Sequence, residues 1–305
     1  LKSAVLEGAA LEQSIGGIET LFKNSASTIE QYAVNAWRTA GISANNYMET
    51  ATSFAASLLQ SLSGDTQKAA EYTDMAIKDM SDNANKMGTD MQSIQWAYQG
   101  FAKQNYTMLD NLKLGYGGTQ EEMKRLLADA EKLSGKKYDI KNLSDVYEAI
   151  HVIQQELGIT GTTAKEAEST LMGSFNSMKA AAQNFMGELV LGGQLQSVNK
   201  SMKTLVESAS TFLFNNLMPA IGNIIMSLPG AIGTFLVTAI PQIASQAGKL
   251  IQGLTQGINE GIPQFVETFP ILINRWLSKM SEAMPTILSK GAELILKLGQ
   301  AIIQA

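Results

Sequence analysis

The sequence predicts an all-α protein in two parts. Residues 1–204 read as a helical module of extended rods and hairpins. Residues 205–305 read as apolar helical repeats punctuated by proline, a region with a membrane-active reading. Three observations predict this. Apolar residues recur at three- and four-residue spacing along most of the chain. All six prolines lie after residue 218. Four of them, Pro219, Pro241, Pro263 and Pro285, form a ladder with a period of 22 residues and the pattern apolar-Pro-x-apolar. A fixed period of this size marks an array built by copying a unit.

Composition narrows the function. The net charge is −5 with no basic tract, which argues against direct nucleic-acid binding. Cysteine is absent, which removes disulfides, thiolate metal sites and Cys nucleophiles. Aromatics make up 7 % of residues while Ala, Ser, Gly and Met abound, favouring thin helical layers over a large core. The chain starts at Leu1 without Met or a signal peptide and stops at Ala305 inside an apolar periodic pattern. It therefore reads as part of a longer protein.

Taken in order, residues 1–62 read as helical, with Gly16-Gly17 and Gly41 as candidate interruptions. Ser43 is placed to cap a helix running to about Leu62, and Gly64 to end it. Residues 70–112 carry a continuous 3-4 stripe: Ala70, Thr73, Ile77, Met80, Ala84, Met87, Met91, Ile94, Tyr98, Phe101, Asn105, Met108 and Leu112. A hairpin broken at Gly88-Thr89-Asp90, with Thr89 and Gln92 as a capping box, is favoured over one continuous rod. Asn105 on the stripe is a candidate for fixing register or partner number.

Gly115-Tyr-Gly-Gly118 is a loop and a weak phosphate-loop signal, with no strand before it and no Gly-Lys-Ser/Thr after it. Thr119 and Glu122 form a capping box opening a helix from Gln120 to Leu133, which Gly135 ends. Lys136-Lys137 reads as a solvated loop. Ser144 is placed to cap Asp145 to Leu157, ended by Gly158. The only histidine, His151, lies in that helix, and a lone His without Cys assembles no usual metal site. A structural role for it outweighs a catalytic one. Asp145 and Glu148 read as a solvated face. Thr163 and Glu166 make a further capping box before a helix rich in small residues, interrupted at Gly187 and Gly192-Gly193. Charge density falls near 190–210, where the main boundary is placed.

In the last third no charged residue occurs between Glu207 and Lys249. Phe212 to Ile243 is long enough to cross a bilayer. A buried amphipathic hairpin broken at Pro219, Pro229 and Pro241 is favoured over insertion. Between rungs, Ile243, Ala247, Leu250, Ile251, Leu254 and Ile258 keep helical spacing. Twenty-two is twice eleven, a period that stays nearly in phase with a straight helix.

Specific stretches resemble a known family. Glu71-Tyr-Thr-Asp-Met-Ala-Ile-Lys-Asp-Met-Ser-Asp-Asn-Ala-Asn-Lys-Met-Gly88, the run Ile94 to Gly118, and Gly161-Thr-Thr-Ala-Lys-Glu-Ala-Glu-Ser-Thr-Leu-Met-Gly-Ser174 resemble the tail tape measure proteins of long-tailed phages and prophages of Gram-positive hosts. The proline ladder is similar to that family's hydrophobic repeats. The resemblance implies a structural role: a ruler and scaffold in the tail lumen, released from the tube at genome ejection. It implies as partners the tail tube protein, tail assembly chaperones, tail tip and distal tail proteins, further copies of the chain in the lumen, and the host membrane at ejection. The implied locations are the virion tail, the host cytoplasm during assembly and the host membrane during ejection. The rival reading is a membrane-active helical protein forming a pore. No catalytic, cofactor-binding or metal-ligating residue is carried over, and an enzyme is not expected.

Overall fold

A computed structural model of the protein describes residues 2–226 and the isolated positions Ser245, Lys249 and Gln252. The ladder rungs Pro241, Pro263 and Pro285 lie outside the described residues, as do Pro229 and much of the uncharged stretch. Among the described residues every regular element is helical and there is no strand, so the fold is all-α.

The helical stretch expected over residues 1–62 is three helices, α1 (Lys2–Phe22), α2 (Ala26–Thr39) and α3 (Ala44–Ser61). Gly16-Gly17 does not interrupt α1. The turn falls instead at Lys23–Ser25, a short 3-10 segment entered with Lys23 at φ 49°. Glycine in a helix costs about 1 kcal/mol, too little to end one that is packed on both sides. Gly41, at φ 66°, does end α2, and Ser43 caps α3 by accepting from Asn46 N at 3.3 Å.

The 70–112 stripe breaks where the hairpin reading places it. α4 (Thr66–Met87) stops at the left-handed Gly88, and α5 (Met91–Phe101) follows. The capping residue is Asp90, which accepts from Ser93 N at 3.0 Å, and not Thr89, whose hydroxyl donates to Asn111 O. The stripe is buried from Ala70 to Met80 and again from Ile94 to Phe101. Asn105 leaves it: α5 has ended, and the exposed Asn105 carboxamide accepts from Thr107 N and Oγ1 in a local turn. It therefore fixes no register.

α6 (Gln120–Ser134) starts at its Thr119 cap and ends at Gly135 as read. α7 (Leu143–Glu156) starts two residues before the expected point. Asn142 is the cap, and its side chain accepts from both Ser144 N and Ser144 Oγ. α8 (Thr162–Ser169) is short, and its end is held by a carboxylate from α4 and not by a Thr163 box. Thr170 turns the chain and caps α9 (Leu171–Leu191), which runs through Gly173 and Gly187 to the left-handed Gly192.

The remaining described chain is one helical run. α10 (Val198–Ser210) widens into a π-helical stretch, Thr211–Leu217, and continues as α11 (Met218–Met226). Pro219, the second residue of α11, therefore does not break the helical run. A proline has no N–H and clashes with the carbonyl a turn earlier, and the wider π turn just before it is where that misfit is absorbed. The boundary expected at 204 falls inside α10.

Two cores hold these helices. The larger runs from Leu11 in α1 to Ile159 after α7, centred on Tyr47, Phe54, Tyr98, Phe101 and Tyr147. Tyr147 meets Tyr98 at 5.0 Å and Phe54 edge-on at 5.6 Å between ring centroids. The smaller joins α9 to α10 and the π stretch through Phe175, Met178, Phe185, Leu205 and Phe212. α1 lies against α9 closely, because Gly8 faces Val190 and Gly187 faces Leu11.

Candidate functional site

The chemistry-bearing groups gather around α4. A helix packed on several neighbours is covered along most of its middle, so the polar residues buried there must find partners inside. Asp74 accepts from the Tyr47 hydroxyl of α3 at 3.0 Å and pairs with Lys78 at 2.5 Å. Asp79 meets His151 of α7. Asp82 accepts from Gly161 N at 2.6 Å and Thr163 N at 2.7 Å at the start of α8. Asn83 donates to Leu112 O at 2.9 Å. Four side chains of one helix thus reach four different segments.

The centre of the cluster is the Asp79–His151 pair. His151 Nδ1 lies 2.8 and 3.0 Å from the two Asp79 oxygens, the arrangement of an Nδ1–H donating to a carboxylate. Nε2 meets the Gln155 amide at 2.9 Å. Asp79 is 1 % exposed, while the His151 side chain keeps 22 % of its surface. Burial pushes the Asp79 carboxyl up, against the opposing pull of His151. The hydrogen bond to Asp79 raises the His151 imidazole above its usual value. Beside them, burial holds the Tyr98 and Tyr147 hydroxyls neutral. Tyr147 donates to Tyr98 O at 3.0 Å, and the Tyr98 hydroxyl faces the Gln154 amide without standard hydrogen-bond geometry.

An acid–imidazole pair can orient a general base. Here the outer nitrogen meets an amide, and no hydroxyl or thiol nucleophile is hydrogen-bonded to it. Among the described residues no group of three or more His, Asp or Glu is arranged to hold a metal. The arrangement is that of a strut between helices.

The other residues singled out in the sequence are also used internally. Glu148 is not simply solvated: it accepts from Tyr72 Oη at 2.6 Å and pairs with Lys136 at 2.5 Å, so Lys136 is not a free loop lysine either. Burial raises the Glu148 carboxyl, and Lys136 and Tyr72 more than reverse this to leave it lowered. Asp145 accepts from Asp139 N at 2.9 Å. The Gly115–Gly118 loop is closed by α6. Gly117 N donates to Glu122 at 3.0 Å, and Arg125 donates to Gly115 O at 2.7 Å while lying 4.3 Å over the Tyr116 ring. A carboxylate occupies the place an anion would need, so this loop cradles no phosphate.

Asp79, Asp82 and Asn83 were not singled out in the sequence. Asp74, Lys78 and Asp82 at four-residue spacing imitate a solvated, self-paired helix face. Nothing in the sequence separates them from such a face, because their burial comes from the neighbours packed around α4.

No family model, curated protein or solved structure matches the chain.

Proposed function

We propose that the chain is a structural protein of the tail tape measure kind, a ruler and scaffold in the lumen of a long phage tail that leaves the tube at genome ejection. The observation that carries this reading is the resemblance at residues 71–118 and 161–174, joined to the 22-residue proline ladder. The all-α fold and the structural use of the Asp79–His151 pair are in keeping with a role that is not enzymatic. On this reading the partners are the tube protein, tail assembly chaperones and tail tip proteins, and the ladder is the measuring segment.

Deleting two whole repeats, residues 241–284, removes about 66 Å of helix at 1.5 Å per residue. Whole units preserve the phase of the apolar stripe. Electron microscopy of assembled tails is expected to show shortening by that amount, rounded to whole rings. Tails of unchanged length would sink the ruler reading for this segment.

The rival reading is a helical protein that opens the host membrane. It is favoured by the exposed apolar side chains at the end of the described chain, where Phe214 stands 43 % exposed near half-buried Leu217 and Met218 in the same helical run. Among the described residues no helix is long and apolar enough to cross a membrane. Leakage of liposomes by residues 205–305, together with normal tail length after the deletion, would select it.

A further inference from the structure

The protein has one histidine, and the fold spends it on the most buried carboxylate of its central helix. From the geometry of this contact we infer that Asp79–His151 is a proton-operated latch, which fastens α7 to α4 when the imidazole is charged and slackens when it is not. The charges around it are unbalanced. From α4, Asp82 and Lys78 act on Asp79, and Lys78 is already paired with Asp74. From α7, Glu148 acts on His151, but Glu148 is committed to Lys136 and Tyr72. α5 contributes only the neutral Tyr98 hydroxyl. Among the described residues, His151 is therefore the cation hydrogen-bonded to Asp79, while Lys78 acts on it from beside its own partner Asp74.

Both protonation states can be accommodated locally, which is what a latch requires. With neutral imidazole, Nδ1–H still donates to Asp79, and Nε2 accepts from the Gln155 amide nitrogen. With imidazolium, the Gln155 carboxamide turns to present its oxygen to Nε2–H. What changes is the charge facing Asp79. Loss of the proton leaves a carboxylate with 1 % exposure beside a neutral ring. The exposed edge of His151 gives the proton a path to solvent.

The sign follows from linkage. The folded imidazole holds its proton to higher pH than the unfolded one, so its stabilisation is fully present below about pH 6.5 and is lost as pH rises through the folded value. The Asp79 carboxyl is likewise raised, so the folded pair binds more protons than the unfolded chain and alkalinisation weakens it. Each unit by which the imidazole is raised corresponds to about tenfold in the folding equilibrium.

Because the imidazole is unique, one proton resonance reports it. In the full chain, kept in mild detergent, the His151 ring is expected to titrate above the free-histidine value. The melting temperature is expected to fall between pH 6 and 8.5, and hydrogen exchange across α7 to rise over the same range. In His151→Gln the fall in melting temperature is expected to shrink. In Asp79→Asn the imidazole is expected to return to about the free value. A resonance titrating at or below the free value overturns the latch. So does a His151→Gln profile parallel to that of the parent. If neither variant folds, the titration of the unmodified chain decides alone.

Discussion

Asp82 offers the sharpest test of how the helices are tied together. Its carboxylate, 2 % exposed, caps the start of α8, where the N-cap Gly161 has no side chain to do so, and it reaches there from a residue some eighty positions earlier. Two backbone N–H groups donate to it, at 2.6 and 2.7 Å. Hydrogen bonds to a charged group are worth about 1.5–3 kcal/mol each, and a carboxylate at a helix N-terminus adds about 0.3–1 kcal/mol. Removing the carboxylate also removes its desolvation cost, which offsets part of the loss. Asp82→Ala is therefore expected to destabilise by about 3 kcal/mol. Asp82→Asn, which keeps one acceptor oxygen, should lose about half of that. Urea denaturation measures the loss: with a slope of about 2–3 kcal/mol/M, the alanine midpoint should drop by about 1–1.5 M. Amide exchange at Gly161 and Thr163 should accelerate first. If both variants unfold within about 0.5 M of the parent, or if those two amides keep their protection, the carboxylate does not hold α8.

Ile94→Asp puts an unpaired charge at a fully buried position and should cost several kcal/mol, whereas Met91→Asp, half-exposed beside the Gly88 turn, should cost under about 1 kcal/mol. Thermal melts followed by circular dichroism compare them, and equal losses would contradict the hairpin packing. Gly8→Val places a Cβ 2.5 Å from Val190 Cγ1, so α1 must move off α9 at a cost of about 1–3 kcal/mol, read as earlier proteolysis within α1. Unchanged proteolysis would mean that the two helices do not meet there. Burial raises the Glu188 carboxyl above its usual value. The folded state therefore binds more protons, and Glu188→Gln should flatten the gain in stability seen on acidifying from neutral towards pH 5. A slope unaltered by that substitution would remove Glu188 from the account.

What could be read in the sequence was local. Helical spacing, the Gly88 and Gly135 stops, and the Ser43 and Thr119 caps depend on neighbours within four residues, and they stand where they were read. The misreadings share one cause, which is that a distant group decided the outcome. Gly16-Gly17 stays helical because α1 is packed between α3 and α9. α8 needs no local capping box because Asp82 serves it. Pro219 lies inside a helix because the turn before it widens. The candidate site was half visible. His151 stood out as a lone histidine with a structural role, but its acid is 72 residues away, and no spacing rule joins residues across two helices.

On the ruler reading proposed above, the enclosed aromatic centre has a bearing on measurement by length. Drawn out as a single helix, the 225 residues from Lys2 to Met226 would reach about 340 Å at 1.5 Å per residue. Folded around Tyr98 and Tyr147, a globule of that size has a radius of gyration of only about 17 Å. As a gauge, this part of the chain would behave like a bead on a string: its outline depends on whether it is knotted up or pulled open, and hardly on how many residues it contains. Trimming a surface turn from it would leave the string's reach unaltered, whereas undoing the bead would lengthen that reach several-fold.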